Sequence, residues 1–361
     1  MAFRVCRNPF MVTGLAGFPM SGTAEHVADP IDLRTGPRWA EPLEAHPFED
    51  ALAGLRIEGS ILLHGHHRPP WAVDVPAAAQ LRRLMELPGD VRVVPFHLVL
   101  EGSFTLQFAG DAPHELRRGQ IVMCADGSSH RMAQGSAARV EAFENVLTSG
   151  RWRPGGAGSE PVAANGTELV CGAFALRGGT LNPLLSALPK ALIVDTGAPA
   201  ANPMLAHIVA MIELEVARND RDSFAAARLL EILFAEALKD HARTGAKRIG
   251  WFRALGDPKI SRALTRIHAS PAGPLSVELL AAEAAISPSR FAARFREVMG
   301  QPVMAYATQW RMNMACRMLA QSRAGLAEIA AAVGYQDTAA FSRAFKALLG
   351  ESPAHWRRGH G

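Results

Sequence analysis

Residues 290–300 read RFAARFREVMG and residues 340–350 read AFSRAFKALLG, two copies of one pattern separated by an offset of fifty positions. Phe291 matches Phe341, Phe295 matches Phe345 and Gly300 matches Gly350. Phenylalanines four apart share one helix face. A glycine after the last turn suits the left-handed C-terminal cap. A cation stands beside the second aromatic in each copy, Arg296 and Lys346. Each copy is therefore predicted to be a short amphipathic helix with a hard stop.

A second, smaller helix is predicted before each copy, over Val277 to Ala284 and over Leu326 to Val333, followed by Ala285-Ile286-Ser287 and by Gly334-Tyr335-Gln336-Asp337. Ser287 with Pro288, and Asp337, have the residue types that open helices. Helix, tight turn and capped helix is the helix-turn-helix arrangement, whose second helix enters the major groove of DNA. Charge agrees with that reading. From residue 251 to the end there are 14 Lys plus Arg against 7 Asp plus Glu, a net of +7, while the preceding residues carry −3. A segregated basic region suits a polyanion, because neutralised phosphates release condensed counterions. A purely structural bundle would need the repeat, the caps, the glycine stops and the charge to coincide.

These residues resemble the C-terminal domain of the AraC/XylS family of transcription regulators, over about Pro258 to Arg358. The stretches that carry the resemblance are Ser287-Pro288-Ser289, Tyr306 to Leu319 as a connecting helix, Ile329-Ala330 with Val333-Gly334-Tyr335, Phe341 to Lys346, and Ser352-Pro353 with Trp356-Arg357. The resemblance implies base-edge contacts from Ser289, Arg290 and Ala293 in the first recognition helix and from Thr338, Ala339 and Arg343 in the second. The two alanines can offer only apolar contact, for instance to a thymine methyl. Arg294 departs from the family pattern, since an apolar residue is usual there; it is assigned to phosphate. Arg296, Lys346 and Arg311 are further phosphate candidates, and an ion pair within the connecting helix is the alternative for Arg311.

Upstream, the period changes. Short apolar runs broken by Gly, Pro and Asp (Ile57–Leu63, Phe96–Leu100, Ser103–Phe108, Gln120–Cys124, Leu169–Leu176) predict a β-sandwich or barrel. From Pro203 the apolar spacing is three and four, in Leu205, Ile208, Val209, Ile212 and Val216, then in Leu229, Leu230, Leu233, Phe234 and Leu238. An antiparallel helix pair follows, able both to pack on the barrel and to form a dimer seam. Residues 1–45 have little sustained apolar periodicity and are assigned to a disordered leader. Gly14, Gly17, Pro19 and Gly22 interrupt the run that would make a secretory signal, and Met20 is an alternative start.

Gly119-Gln-Ile-Val-Met-Cys124-Ala-Asp-Gly127-Ser-Ser-His130 resembles the second conserved motif of cupin barrels, and His97-Leu-Val-Leu-Glu101-Gly102 part of the first. The resemblance implies a sensor that binds a small effector, with His97, Glu101, Cys124 and His130 toward its pocket. Pro95 stands where a metal-binding cupin has a histidine, so no metal or other cofactor is expected. If one binds, the implied ligands are His97, Glu101 and His130, with His64, His66 and His67 as substitutes. Cys124 and Cys171 on predicted strands are read as buried thiols, with an oxidant-sensing thiol as the alternative.

The expected fold is thus α+β in two domains: an N-terminal cupin-like β-barrel with a helical pair, then an all-α tandem helix-turn-helix domain. The boundaries are 46–200 for the barrel, 201–240 for the pair, 241–257 for a linker and 258–361 for the DNA-binding domain. No apolar run reaches the eighteen residues of a membrane span. The four cysteines form no C-x-x-C pair and fit a reducing cytoplasm. The expected protein is a cytoplasmic, non-enzymatic regulator and homodimer, with promoter DNA, a small effector and RNA polymerase as partners. The alternative from another class is a metal-dependent cupin enzyme with a helical appendage.

Overall fold

The computed structural model describes residues 46–136, 139–149, 166–178, 181–198, 202–218, 223–244 and 250–360. The expected leader, 1–45, lies outside them. In chain order the first part contains α1 (Pro47–Ala53), β1 (Arg56–His67), β2 (Trp71–Val75), α2 (Ala78–Leu84), β3 (Arg92–Glu101), β4 (Ser103–Phe108), β5 (His114–Arg117), β6 (Gln120–Cys124), β7 (His130–Gln134), β8 (Glu141–Ala142), α3 (Phe143–Ser149), β9 (Thr167–Arg177), α4 (Pro183–Ser186) and β10 (Ala191–Asp195). Helices follow: α5 (Pro203–Ala217), α6 (Phe224–Thr244), α7 (Trp251–Leu255), α8 (Pro258–Ala269), α9 (Val277–Glu283), α10 (Pro288–Met299), α11 (Val303–Gln321), α12 (Leu326–Ala332), α13 (Thr338–Leu349) and α14 (Pro353–His360). Among the described residues no helix is long and apolar enough to cross a membrane.

The strands form two five-stranded sheets, ordered β1-β9-β3-β6-β10 and β5-β4-β7-β2-β8. Their alternation is legible in the side chains. On β3, Val93 and Val99 face the second sheet, within a core that includes Phe104, Leu106 and Phe108 of β4. Val94, Phe96, Leu98 and Leu100 face the other way and join the core beneath the helices. A strand covered on both faces reads as a continuous apolar run rather than an alternating one, as VVPFHLVL does.

The outer face of the first sheet is covered by α5 and α6, whose predicted apolar stripes are buried. Gly59 of β1 permits the close approach of α6, since a Cβ there would lie 2.5 Å from Leu230 Cβ; within the sheet, Gly172 of β9 leaves room for the Phe96 ring of β3, which would lie 2.6 Å from a Cβ. Phe174 and Phe234 meet with ring centroids 4.8 Å apart.

The segment expected as a linker is ordered at both ends. Helix α6 runs to Thr244, and α7 buries Trp251, Phe252 and Ala254. Aromatic residues inside a polar, glycine-containing stretch are the reason: they seat against Phe48 of α1 (ring centroids 6.2 Å) and against Tyr306, whose hydroxyl accepts from Trp251 Nε1 at 3.0 Å. One hydrophobic core consequently runs from the barrel's outer face through α1, α4 and α7 into α8–α11, while α11–α14 gather around a second, with Phe341, Phe345 and Trp356.

Candidate nucleic-acid interface and barrel site

The repeat predicted from the aromatic spacing forms two helix-turn-helix units. In the first, Ser276 Oγ accepts from the Leu279 amide and caps α9. The turn then passes through Ala285 at φ 53°, and α10 ends at Gly300 in the left-handed conformation, φ 73°. Ser287 occupies the N-cap position with extended backbone, but its side chain makes no capping bond; Pro288, which lacks an N–H, still begins the helix. In the second unit, Asp337 accepts from the amides of Ala339 and Ala340, both at 3.0 Å, and α13 ends at Gly350 with φ 81°.

Phe291 and Phe295 anchor α10, and Phe341 and Phe345 anchor α13; all four are fully buried. The opposite face is therefore turned outward. Ser289, Arg290, Ala293 and Arg296 are exposed on α10, as are Ala339, Arg343 and Lys346 on α13, with Thr338 half-buried. Positions 289, 293 and 296 have their counterparts at 339, 343 and 346, a spacing of four and seven that keeps each trio on one side of its helix. Asp337 approaches the Arg343 guanidinium only to 4.0 Å, with both side chains exposed.

Two of the arginines assigned to phosphate are held within the protein. Arg294 donates from Nε (2.8 Å) to Asp257 Oδ2, and its Nη2 lies 2.7 Å from the same oxygen. Asp257 in turn caps α8 by accepting from the amides of Lys259 and Ile260. The unusual arginine thus ties α10 to the start of α8, where Asp257-Pro258 has the same helix-opening residue types as Ser287-Pro288 although it falls at the end of the expected linker. Arg311 donates to the carbonyls of Pro271 (2.8 Å) and Gly273 (3.1 Å). It fastens the α8–α9 loop to α11.

Inside the barrel, His97 of β3, Cys124 at the end of β6 and His130 at the start of β7 converge. The Nε2 atoms of His97 and His130 are 2.8 Å apart, and Cys124 Sγ lies 3.7 Å from His130 Nε2. His97 is 1% exposed. Burial pulls the His97 imidazole well below its ordinary range, reinforced by His130, and pulls His130 down to about 4. Burial pushes the thiols of Cys124 and Cys171 well up. A surface cleft of about 470 Å³, walled by Val75, Gln107, Phe108 and Arg131 among others, reaches His130. Its size suits a small ligand.

Glu101 is not part of this group. A register irregularity between Val99 and Glu101 takes the carboxylate out of the alternation that points His97 inward, and it pairs with Arg118 at 2.8 Å. The groups that converge inside the barrel are therefore His97, Cys124 and His130, with Glu101 apart from them. Nearby on the first sheet, Glu168 Oε1 lies 2.8 Å from His64 Nε2 and 3.7 Å from His66 Nε2. Strand pairing of β1 with β9 makes that cluster, so a separation of 104 residues concealed it.

Comparison with known proteins agrees with this layout. A cupin family matches residues 46–243, and a helix-turn-helix domain family matches residues 280–359. A putative AraC-like transcription regulator from Streptomyces lividans is 31% identical over 86% of this chain and 98% of its own length. The chain belongs to the AraC-like transcription regulators. A second such regulator, from Streptomyces antibioticus, is 28% identical over the same shares, and the HTH-type transcriptional regulator AlkR of Acinetobacter baylyi is 30% identical over 73% of this chain and 87% of its own. As an AraC-like regulator, the protein binds DNA through the helix-turn-helix region.

The buried histidines of this regulator set a pH dependence. Between pH 6.5 and 4 the unfolded chain takes up a proton that folded His130 refuses. Stability is complete above pH 6.5 and falls as the pH drops toward 4, by about 3 kcal/mol from this group alone. Urea unfolding at pH 7.5, 5.5 and 4.5 should show the midpoint fall at each step; a midpoint constant over that range would contradict the assignment of a buried neutral imidazole.

Proposed function

We propose that this regulator reads a specific promoter sequence through α10 and α13 and that its barrel binds a small effector. The observation that carries the DNA reading is the matched pair of outward faces, fifty residues apart. Ser289, Arg290 and Ala293 on α10, and Thr338, Ala339 and Arg343 on α13, are the proposed base-edge contacts. Arg296 and Lys346, one turn further along each helix and exposed, are the proposed phosphate contacts. Arg343 is the single long donor of its trio and dominates readout in its half-site, since a guanidinium spans the guanine O6 and N7 pair.

The barrel reading rests on the cleft at His130 and the buried polar cluster behind it. An effector alters transcription only through tighter binding to one arrangement of the domains than to another, and the core shared by the barrel and α8–α11 supplies a physical connection between them. The enzyme alternative needs a carboxylate beside paired histidines; Glu101 is engaged elsewhere, and Glu168, which sits beside His64 and His66, does not line the cleft. Contact with RNA polymerase and a cytoplasmic location follow from the regulator reading.

The protein is proposed to be a homodimer through the helical pair. Met204, Met211 and Leu214 remain exposed on α5, on the side away from the buried stripe. Sedimentation of the full chain is expected to give a dimer and of Leu214→Glu a monomer; identical profiles would refute this seam.

Arg343→Ala should cost roughly 1–3 kcal/mol on the selected site and relax preference at one base pair. Lys346→Ala should weaken selected and random DNA alike and lower the salt slope by about one. Binding titrations at fixed salt check both, and an equal loss on random DNA for Arg343→Ala would remove its readout role.

A further inference from the structure

The cluster behind the cleft has an imbalance in its hydrogen bonding. His130 Nδ1 lies 3.3 Å from the Ser128 carbonyl oxygen and donates to it, which leaves the lone pair of His130 Nε2 facing the interior. Both His97 Nε2, at 2.8 Å, and Cys124 Sγ, at 3.7 Å, approach that one lone pair. A single lone pair serves one good donor. Three heteroatoms converging on one point are better satisfied by a cation than by one another.

We propose that His97, Cys124 and His130 form a three-coordinate site for a monovalent copper ion. The inference deepens the sensor reading and rests on it only for its consequence on DNA. A metal-binding cupin uses histidines with a carboxylate, a set suited to harder ions; here Glu101 is absent from the cluster and a thiol takes part. Two imidazoles and a thiolate form a soft N₂S set that selects Cu(I) or zinc.

Charge decides between the two. Cu(I) on two neutral imidazoles and one thiolate is neutral overall, whereas Zn(II) leaves a net positive charge inside an apolar core, where an uncompensated charge is costly. Zinc also prefers four ligands, and among the described residues no further His, Cys, Asp or Glu atom joins the three.

Distances fit with a small adjustment. Bonds of about 2.0 Å to nitrogen and about 2.3 Å to sulfur, in a trigonal plane, separate N from S by about 3.7 Å and N from N by about 3.5 Å. The N···S distance from His130 to Cys124 is 3.7 Å and the N···N distance 2.8 Å, so the rings must part by about 0.7 Å on ligation. The proton balance closes. The Cys124 S–H proton is released, the His97 proton moves from Nε2 to Nδ1, and three lone pairs bind Cu(I), so one proton leaves for each copper bound with no change of oxidation state.

The test uses reduced, full-length protein under anaerobic conditions, with Cu(I) supplied by a chromophoric chelator and Zn(II) offered separately. The expected result is one copper withdrawn per chain, with X-ray absorption showing two nitrogen scatterers and one sulfur. Cys124→Ala should lose copper to the chelator while Cys171→Ala and Cys316→Ala retain it. Circular dichroism and thermal melting establish that each variant is folded, and His130→Asn provides a second ligand deletion should Cys124→Ala fail to fold. Copper left on the chelator by the wild-type chain, wild-type retention by a folded ligand variant, or stoichiometric zinc with no copper would each overturn the proposal. DNA binding is measured apart: a chain that takes up copper yet protects no DNA keeps this site and loses the regulator reading.

Discussion

The structure depends on a sheet that is buried on both faces. Strand β3 lies between β9 and β6, with alternate residues sunk into the inter-sheet core and into the core beneath the helices. Neither face has solvent to relax into, so the second sheet and the helical layer close over one element, and the outer core continues through α1, α4 and α7 into α8–α11. Gly59 makes the approach of α6 possible by having no Cβ to clash with Leu230. Polar groups on such a strand must be matched internally or cost stability, which makes His97, at the middle of β3, the residue whose surroundings need explaining.

The same packing joins sensing to reading. Phe48 and Asp50 of α1 meet Trp251 and His268: the Phe48 and Trp251 rings stack, and His268 Nδ1 comes within 3.6 Å of Asp50 Oδ2. His268 also stacks on Trp310 at 3.6 Å between ring centroids and bonds to the Tyr306 hydroxyl at 2.7 Å. Further along α11, Gln309 donates to the Leu181 carbonyl and Arg317 to that of Ala53. The long connecting helix is therefore in contact with barrel segments along its length, and it carries one helix-turn-helix unit at each end. A change in the barrel's outer layer has a continuous packed route to both recognition helices; whether it is used depends on differential binding to two arrangements.

Much of this was legible in the sequence because it is local. The aromatic repeat, the Asp337 cap, the two glycine stops and the stripes of α5 and α6 all depend on spacings of a few residues, and each appears where the spacing put it. What was not legible is tertiary. Arg294 and Arg311 carry charge that a sequence reading assigns to phosphate, yet their partners, Asp257 and the carbonyls of Pro271 and Gly273, lie 37 to 40 positions away. Glu101 keeps the right parity for the barrel interior, and only an irregularity in strand register removes it. Trp251 and Phe252 sit in a stretch whose glycines and charges resemble a linker, and their burial follows from Phe48, two hundred residues earlier in the chain. Cys124 was identified as a strand residue near the pocket, while its convergence with His97 and His130 requires two sheets to face each other.

The central claim is that α10 and α13 read two successive groove segments of one promoter. Footprinting of the purified full-length chain on DNA upstream of its own and neighbouring genes addresses it most directly. The account predicts a discrete protected stretch spanning successive major-groove turns on one face of the duplex. A folded protein that protects no particular stretch, or coats all DNA alike, would contradict it.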